Sequence, residues 1–131
     1  MKASVYHLQI NVTTPSAIHF YKELLQYFEY RIIDEDEEYL GMTNGTVDFW
    51  IMKTEEKHQI KKFHRKDPGL NHIAFKVEKK EEVDKFTKEF LAKRKIKTLY
   101  NTPKAFPEYT KDYYAVFFED PERIKLEIVY K

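Results

Sequence analysis

The chain has 131 residues, with 23 lysine plus arginine against 22 aspartate plus glutamate, five histidines and no cysteine. That length suits one compact domain or two half-size modules sharing a core, and it excludes two independent domains. A formal net charge of +1 provides no global field for nucleic acid or an anionic membrane, and without cysteine any metal must use histidine and carboxylate ligands.

From the N-terminus, residues 5–12 alternate, with Leu8, Ile10 and Val12 on one face and His7, Gln9 and Asn11 on the other. This predicts a half-buried strand and not a signal peptide. No stretch reaches the ~18 apolar residues of a membrane span, so a cytoplasmic protein with no membrane or nucleic-acid partner is expected. Thr14 and Pro15 read as an N-cap and first helical residue, followed by Ile18, Tyr21, Leu24, Leu25 and Phe28 at helical spacing. Strands are expected at 30–33, 39–42 and 47–52, the last two joined by an Asn44-Gly45 turn.

From Leu70 the same order restarts. Ile73, Phe75 and Val77 alternate with His72, Ala74 and Lys76, and a helix is expected over 80–93 with Val83, Phe86 and Phe90 inward. One offset of 65 residues carries His7 onto His72, Ile18 onto Val83, Tyr21 onto Phe86 and Leu25 onto Phe90. Beyond Tyr100 the offset becomes 77, which carries Trp50 onto Glu127, so the second copy has gained 12 residues, assigned to an inserted loop at 101–112. The same offset sets 39–42 against 116–119. Module one is therefore placed at about 4–53, a lysine-rich, Pro-Gly-ended linker at about 54–69, and module two at about 70–131 of a single domain over 1–131. The basic run KKFHRK in the linker reads as a solvated surface, because no aromatic residues interleave it at nucleic-acid spacing.

The fold class expected is α+β: two repeated strand-helix-three-strand modules forming a curved, mostly antiparallel sheet with helices on the outer face. His7 and His72 then lie on the face away from the helices, at the same place in the repeat. In the last strand Ile124, Leu126 and Ile128 take the core side, which leaves Lys125, Glu127 and Val129 on the open face with the histidines. Two imidazoles and one carboxylate form a facial set suited to a divalent ion (Zn, Ni, Mn or Fe), with positions left for water and substrate. Trp50, the internal counterpart of Glu127, cannot ligate a metal, so three protein ligands are expected. Gln9, Trp50 and Ala74 are assigned to the substrate pocket. Glu127, Tyr109 and Tyr114 are the candidate catalytic groups, with Tyr113 a further candidate acid and Gln9 an orienting group. The loop carrying Lys104, Phe106 and Tyr109 is a candidate lid. Repeated half-modules can also pair through their outer strands or helices, so a homodimer is the expected assembly.

With those residues in place, the chain resembles the vicinal oxygen chelate superfamily, which groups glyoxalase I, bleomycin-resistance proteins, fosfomycin-resistance enzymes and extradiol dioxygenases. The resemblance is carried by YYAVFFEDPERIKLEIVY, similar to the family's aromatic-x-x-x-Asp-Pro-x-Gly-x-x-Leu-Glu ending, with HLQINV, FYKELLQYFEY and LNHIAFKV. It implies metal ligation by His7, His72 and Glu127 and a metal-dependent enzyme that chelates a small substrate through vicinal oxygens and stabilises an enolate or oxyanion, as an isomerase, lyase or transferase. The departures are Glu122 and Arg123 after Asp120-Pro121 where the family has glycine, Gln26 after Leu24-Leu25, and Trp50 where glyoxalase I has a second glutamate. The alternative function is a metal-free small-molecule or drug-binding protein of bleomycin-resistance type; a structural role would predict an occluded hollow.

Overall fold

Alternation from Leu8 produces the first strand, β1 (His7–Val12), whose buried residues are Ile10 and Val12. The computed structural model describes all 131 residues, Met1–Lys131, and divides into two units, Met1–Lys62 and Phe63–Lys131. In the first unit β1 leads to α1 (Pro15–Tyr27), β2 (Arg31–Glu35), β3 (Tyr39–Thr43) and β4 (Asp48–Lys53). Thr14 Oγ1 accepts from the Ala17 amide at 3.2 Å and Pro15 begins the helix, which satisfies one free donor and costs no hydrogen bond at the proline. Ile18, Tyr21, Leu24 and Leu25 are buried. The strand order is β1-β4-β3-β2, with β1 and β4 parallel and the other pairs antiparallel. Asn44 Oδ1 accepts from the amides of Thr46 and Val47 at 2.9 Å each, and Gly45 takes the left-handed conformation (φ 89°) that closes the β3–β4 turn.

The second unit repeats the plan with β5 (His72–Val77), α2 (Lys80–Phe86), β6 (Thr98–Ala105), β7 (Tyr114–Glu119) and β8 (Lys125–Tyr130), in the order β5-β8-β7-β6. Each module thus holds one four-stranded sheet with a helix packed on one side, and each sheet has one parallel and two antiparallel pairs. The internal repeat is visible in the register: Gln9 pairs with Trp50 in the first sheet as Ala74 pairs with Glu127 in the second.

Three local features depart from the sequence expectation. The second helix is α-helical only to Phe86 and continues as a wider π-helix over Thr87–Ala92, where both Phe90 and Leu91 are buried. Residues 101–105 belong to β6, not to a loop; the ladder bulges between Leu99 and Lys104, where the Thr102 hydroxyl donates to Leu99 O at 2.7 Å and accepts from the Phe117 amide at 3.0 Å. The offset between β3 and β7 is 76, not 77, because Thr43 pairs with Asp48 while Glu119 pairs with Lys125. One of the extra residues therefore lies in the β7–β8 turn, and since a one-residue slip exchanges the faces of a strand, Phe117 and not Phe118 shares a face with Glu127. Phe118 instead packs on Phe86, their ring centroids 5.5 Å apart.

Asp120, almost fully buried, holds that longer turn. Its Oδ1 accepts from the amides of Glu122 (2.8 Å) and Ile124 (2.7 Å), while Arg123 takes a left-handed conformation at φ 70°. No helix is long and apolar enough to cross a membrane.

Candidate functional site

Glu127 sits mid-strand on β8 between Ala74 of β5 and Phe117 of β7, on the face turned away from α2. That face was expected to be open, yet Glu127 is only 1% exposed. The reason is the chain after β6. The Phe106 amide donates to Tyr113 O at 2.9 Å, closing residues 106–113 into a roof, and Phe106 packs with Ala115, Phe117 and Val129 while Leu99 and Tyr113 flank them. Two prolines, Pro103 and Pro107, lie in the inserted stretch.

A carboxylate this deeply buried needs partners for both oxygens. Glu127 Oε1 accepts from the Tyr113 hydroxyl at 2.6 Å, and Oε2 lies 3.2 Å from His72 Nε2. The Tyr113 hydroxyl is pushed far above its ordinary pKa, first by burial and then by its hydrogen bond to Glu127 and that residue's charge, so it remains a donor. His72 is held from behind. The Asn71 side-chain amide donates to Arg65 O at 3.0 Å, which turns Asn71 Oδ1 toward His72 Nδ1 at 2.8 Å. That oxygen can only accept, so Nδ1 carries a hydrogen, and Nε2 is the ring nitrogen that faces Glu127.

Around this pair lies a hollow of about 370 Å³ lined by His72, Tyr100, Phe106, Tyr109, Tyr113, Phe117, Lys125 and Glu127, all from the second unit. Its size falls within the roughly 300–1,000 Å³ of small-molecule sites. Phe106 and Tyr109 stack with ring centroids 5.3 Å apart, and Tyr113 meets Tyr109 edge-on at 5.2 Å.

The residues expected to form a site are thus distributed unequally. Glu127, His72 and Tyr109 meet in the hollow, and Ala74 is Glu127's neighbour in register. Tyr114 does not reach it: its hydroxyl donates to Asp84 of α2 at 2.8 Å, on the helix-covered side of the sheet, and burial with that contact pushes its pKa up to about 12. A tyrosine one residue from Tyr113 on an alternating strand has to face the other way. His7, Gln9 and Trp50 belong to the first unit, where His7 and Gln9 are exposed on β1 and Trp50 is half-buried on β4. Within the second unit no third histidine, aspartate or glutamate joins the His72–Glu127 pair. Sequence reasoning missed Asn71, Tyr100 and Phe117. Asn71 carried a signal, since a polar residue just before a candidate ligand histidine is placed to orient it.

The donor set fits a divalent cation. Nε2 and Oε2 face each other at 3.2 Å, a separation that either a shared proton or a metal ion can bridge. Two ligands of one ion, each about 2.0–2.1 Å from it, are separated by roughly 3.0–3.4 Å.

Comparison with known proteins establishes the fold family. The model of the glyoxalase/bleomycin resistance protein/dioxygenase superfamily matches residues 5–128. A candidate glyoxalase from Bacillus halodurans has a crystal structure that superposes with a TM-score of 0.87 at 35% identity, covering 97% of this chain and 95% of that one. The genomically encoded fosfomycin resistance protein of Listeria monocytogenes (TM-score 0.71, 17% identity, 100% and 95% covered) shares the fold. So does the lactoylglutathione lyase of Agrobacterium tumefaciens (0.66, 15%, 98% and 94%). The uncharacterised Bacillus subtilis protein YqjT is 40% identical over 79 residues, a stretch that spans 60% of this chain and 60% of that relative. With a family match over nearly its whole length and a repeated four-stranded module in each half, the chain belongs to the glyoxalase/bleomycin resistance protein/dioxygenase superfamily.

Proposed function

We propose that the protein is a divalent-metal-dependent enzyme acting on a small molecule with two neighbouring oxygens, with His72, Glu127 and His7 as the metal ligands. One observation carries the reading: Nε2 of His72, oriented through Asn71, faces a buried carboxylate oxygen 3.2 Å away. His7 holds in the first module the place that His72 holds in the second, and is assigned as third ligand on that ground. When bound, the ion would supply Lewis-acid stabilisation of the negative charge that develops on the substrate oxygens. The chain's own groups do the rest. Asn71 and Tyr113 fix the orientation of His72 and Glu127. Phe106 and Tyr113 exclude water from the carboxylate. Tyr109, exposed at the rim and edge-on to Tyr113, is the proton donor of the proposal. Isomerase, lyase and group-transfer reactions all fit such a site, and a cytoplasmic homodimer is part of the same reading.

Elemental analysis of the purified protein tests it. A stoichiometric zinc, nickel, manganese or iron ion is expected, lost in His72→Ala and Glu127→Gln. Protein that takes up none of the four would overturn the proposal. That outcome would favour the second reading, a metal-free protein that sequesters a small molecule, which is supported by the aromatic lining of the hollow.

A further inference from the structure

The two opposite charges lining the hollow, Glu127 and Lys125, are partnered differently. Glu127 has a neighbour at each oxygen, the Tyr113 hydroxyl at 2.6 Å and His72 Nε2 at 3.2 Å. Lys125, two residues earlier on the same face of β8, has no carboxylate partner. Its ammonium lies 5.6 Å from the ring centroids of both Tyr100 and Phe117. Its cross-strand neighbour Glu119 would be the natural counter-ion, but Arg65 Nη1 already holds that carboxylate at 2.5 Å and Arg123 stands 3.8 Å from its second oxygen. Lys125 is half-buried with its ammonium beside two aromatic rings, and an anion reaching an ammonium against such low-dielectric walls gains more than at an open surface.

The remaining walls are flat. Phe106 and Tyr109 present parallel rings, and Tyr113 and Phe117 stand edge-on to Phe106, at centroid distances of 6.2 and 5.6 Å. Such an arrangement offers both faces and edges for stacking a planar ring. An aromatic box by itself would also suit a cation, but here Lys125 already occupies the faces of Tyr100 and Phe117 and would repel one.

We propose that the hollow binds an aromatic carboxylate, its ring stacked among Phe106, Tyr109 and Tyr113 and its anionic group paired with Lys125. This rests on the reading of the hollow as the substrate site and names the class of molecule that enters it. Lys125 recognises charge, which makes it a determinant of specificity separate from the His72–Glu127 pair.

The test is calorimetric titration of the full chain with trans-cinnamate, its neutral isostere cinnamamide, and hexanoate, with and without chelator. Cinnamate is expected to bind about tenfold or more tightly than either control, as one charge-assisted contact and one stacked ring each allow. In Lys125→Gln the advantage over cinnamamide should vanish while cinnamamide affinity is kept, and Lys125→Arg should retain most of it. Equal affinity for acid and amide, or an unchanged ratio in Lys125→Gln, would overturn the charge assignment. Equal affinity for cinnamate and hexanoate would overturn the ring, and no binding by any of the three would overturn both. The metal reading is judged separately by elemental analysis. A Lys125-dependent preference that survives chelation leaves this proposal standing even if no metal is found.

Discussion

The same strand position is occupied by Trp50 in the first sheet and by Glu127 in the second, and the two faces have been finished in opposite ways. In the first, the indole lies against Gly41: a β-carbon built there would come within 2.5 Å of the ring, and Tyr39 stands beside it with centroids 6.4 Å apart. Trp50 therefore covers its face with its own side chain and asks only that its neighbour have none. In the second, a carboxylate cannot cover anything. It is matched by a hydroxyl and an imidazole and enclosed by residues 106–113, which have no counterpart in module one. A large apolar side chain closes a sheet face with one residue; a functional charge requires a second layer, and that layer also creates the hollow.

The sharpest way to break this contrast is to remove the roof. Phe106→Ala should destabilise the protein by about 3–5 kcal/mol, since it deletes a buried ring and admits water to Glu127; denaturant titration would detect it, and a loss under 1 kcal/mol would mean the roof is not a structural layer. Tyr113→Phe should cost about 1.5–3 kcal/mol by leaving one oxygen of a buried carboxylate without its donor. It should also change the alkaline limb. The pKa values of Tyr113 and Tyr114 are raised in the folded protein, so the stabilisation they carry is complete below the unfolded value of about 10 and is lost as pH rises through the folded values. Stability should therefore fall as pH rises above about 10, and Tyr113→Phe/Tyr114→Phe should flatten that fall relative to wild type.

On the other face, Gly41→Ala should cost about 1–3 kcal/mol through the collision with Trp50, and Trp50→Leu should relieve most of that penalty in the double variant. Additive losses would show that the two residues do not press on each other. The smallest effect is expected at the β7–β8 turn, where Arg123→Gly should stabilise by about 0.5–1 kcal/mol by relieving a left-handed backbone at a non-glycine residue. A lower melting temperature in that variant would contradict this account.

The strands, α1 and the repeat were legible because their signal is local periodicity. Leu8, Ile10 and Val12 alternate, Thr14-Pro15 starts a helix, and an offset of 65 relates residues whose burial agrees: Tyr21 with Phe86, Leu25 with Phe90. The pairing of His72 with Glu127 followed from strand alternation as well. What failed were matters of one residue or of coverage. The extra residue in the Asp120 turn is invisible to a pattern match that slides a whole hairpin together, yet it decides that Phe117 faces the hollow and Phe118 the core. Tyr114 and Tyr113 look interchangeable as candidate acids until the register assigns one to each face.

The sequence by itself determined the two-module plan, the strand faces and the residue types available for chemistry, because these depend on periods of two and of about 3.6 within a few residues. Only the tertiary structure decided that Glu127 is buried, that Asn71 orients His72, and that Lys125 is left without a counter-ion. Each of these depends on groups far apart in the chain, Arg65 with Glu119 and Phe106 with Val129 among them, and solvation and charge respond to proximity in space rather than in sequence.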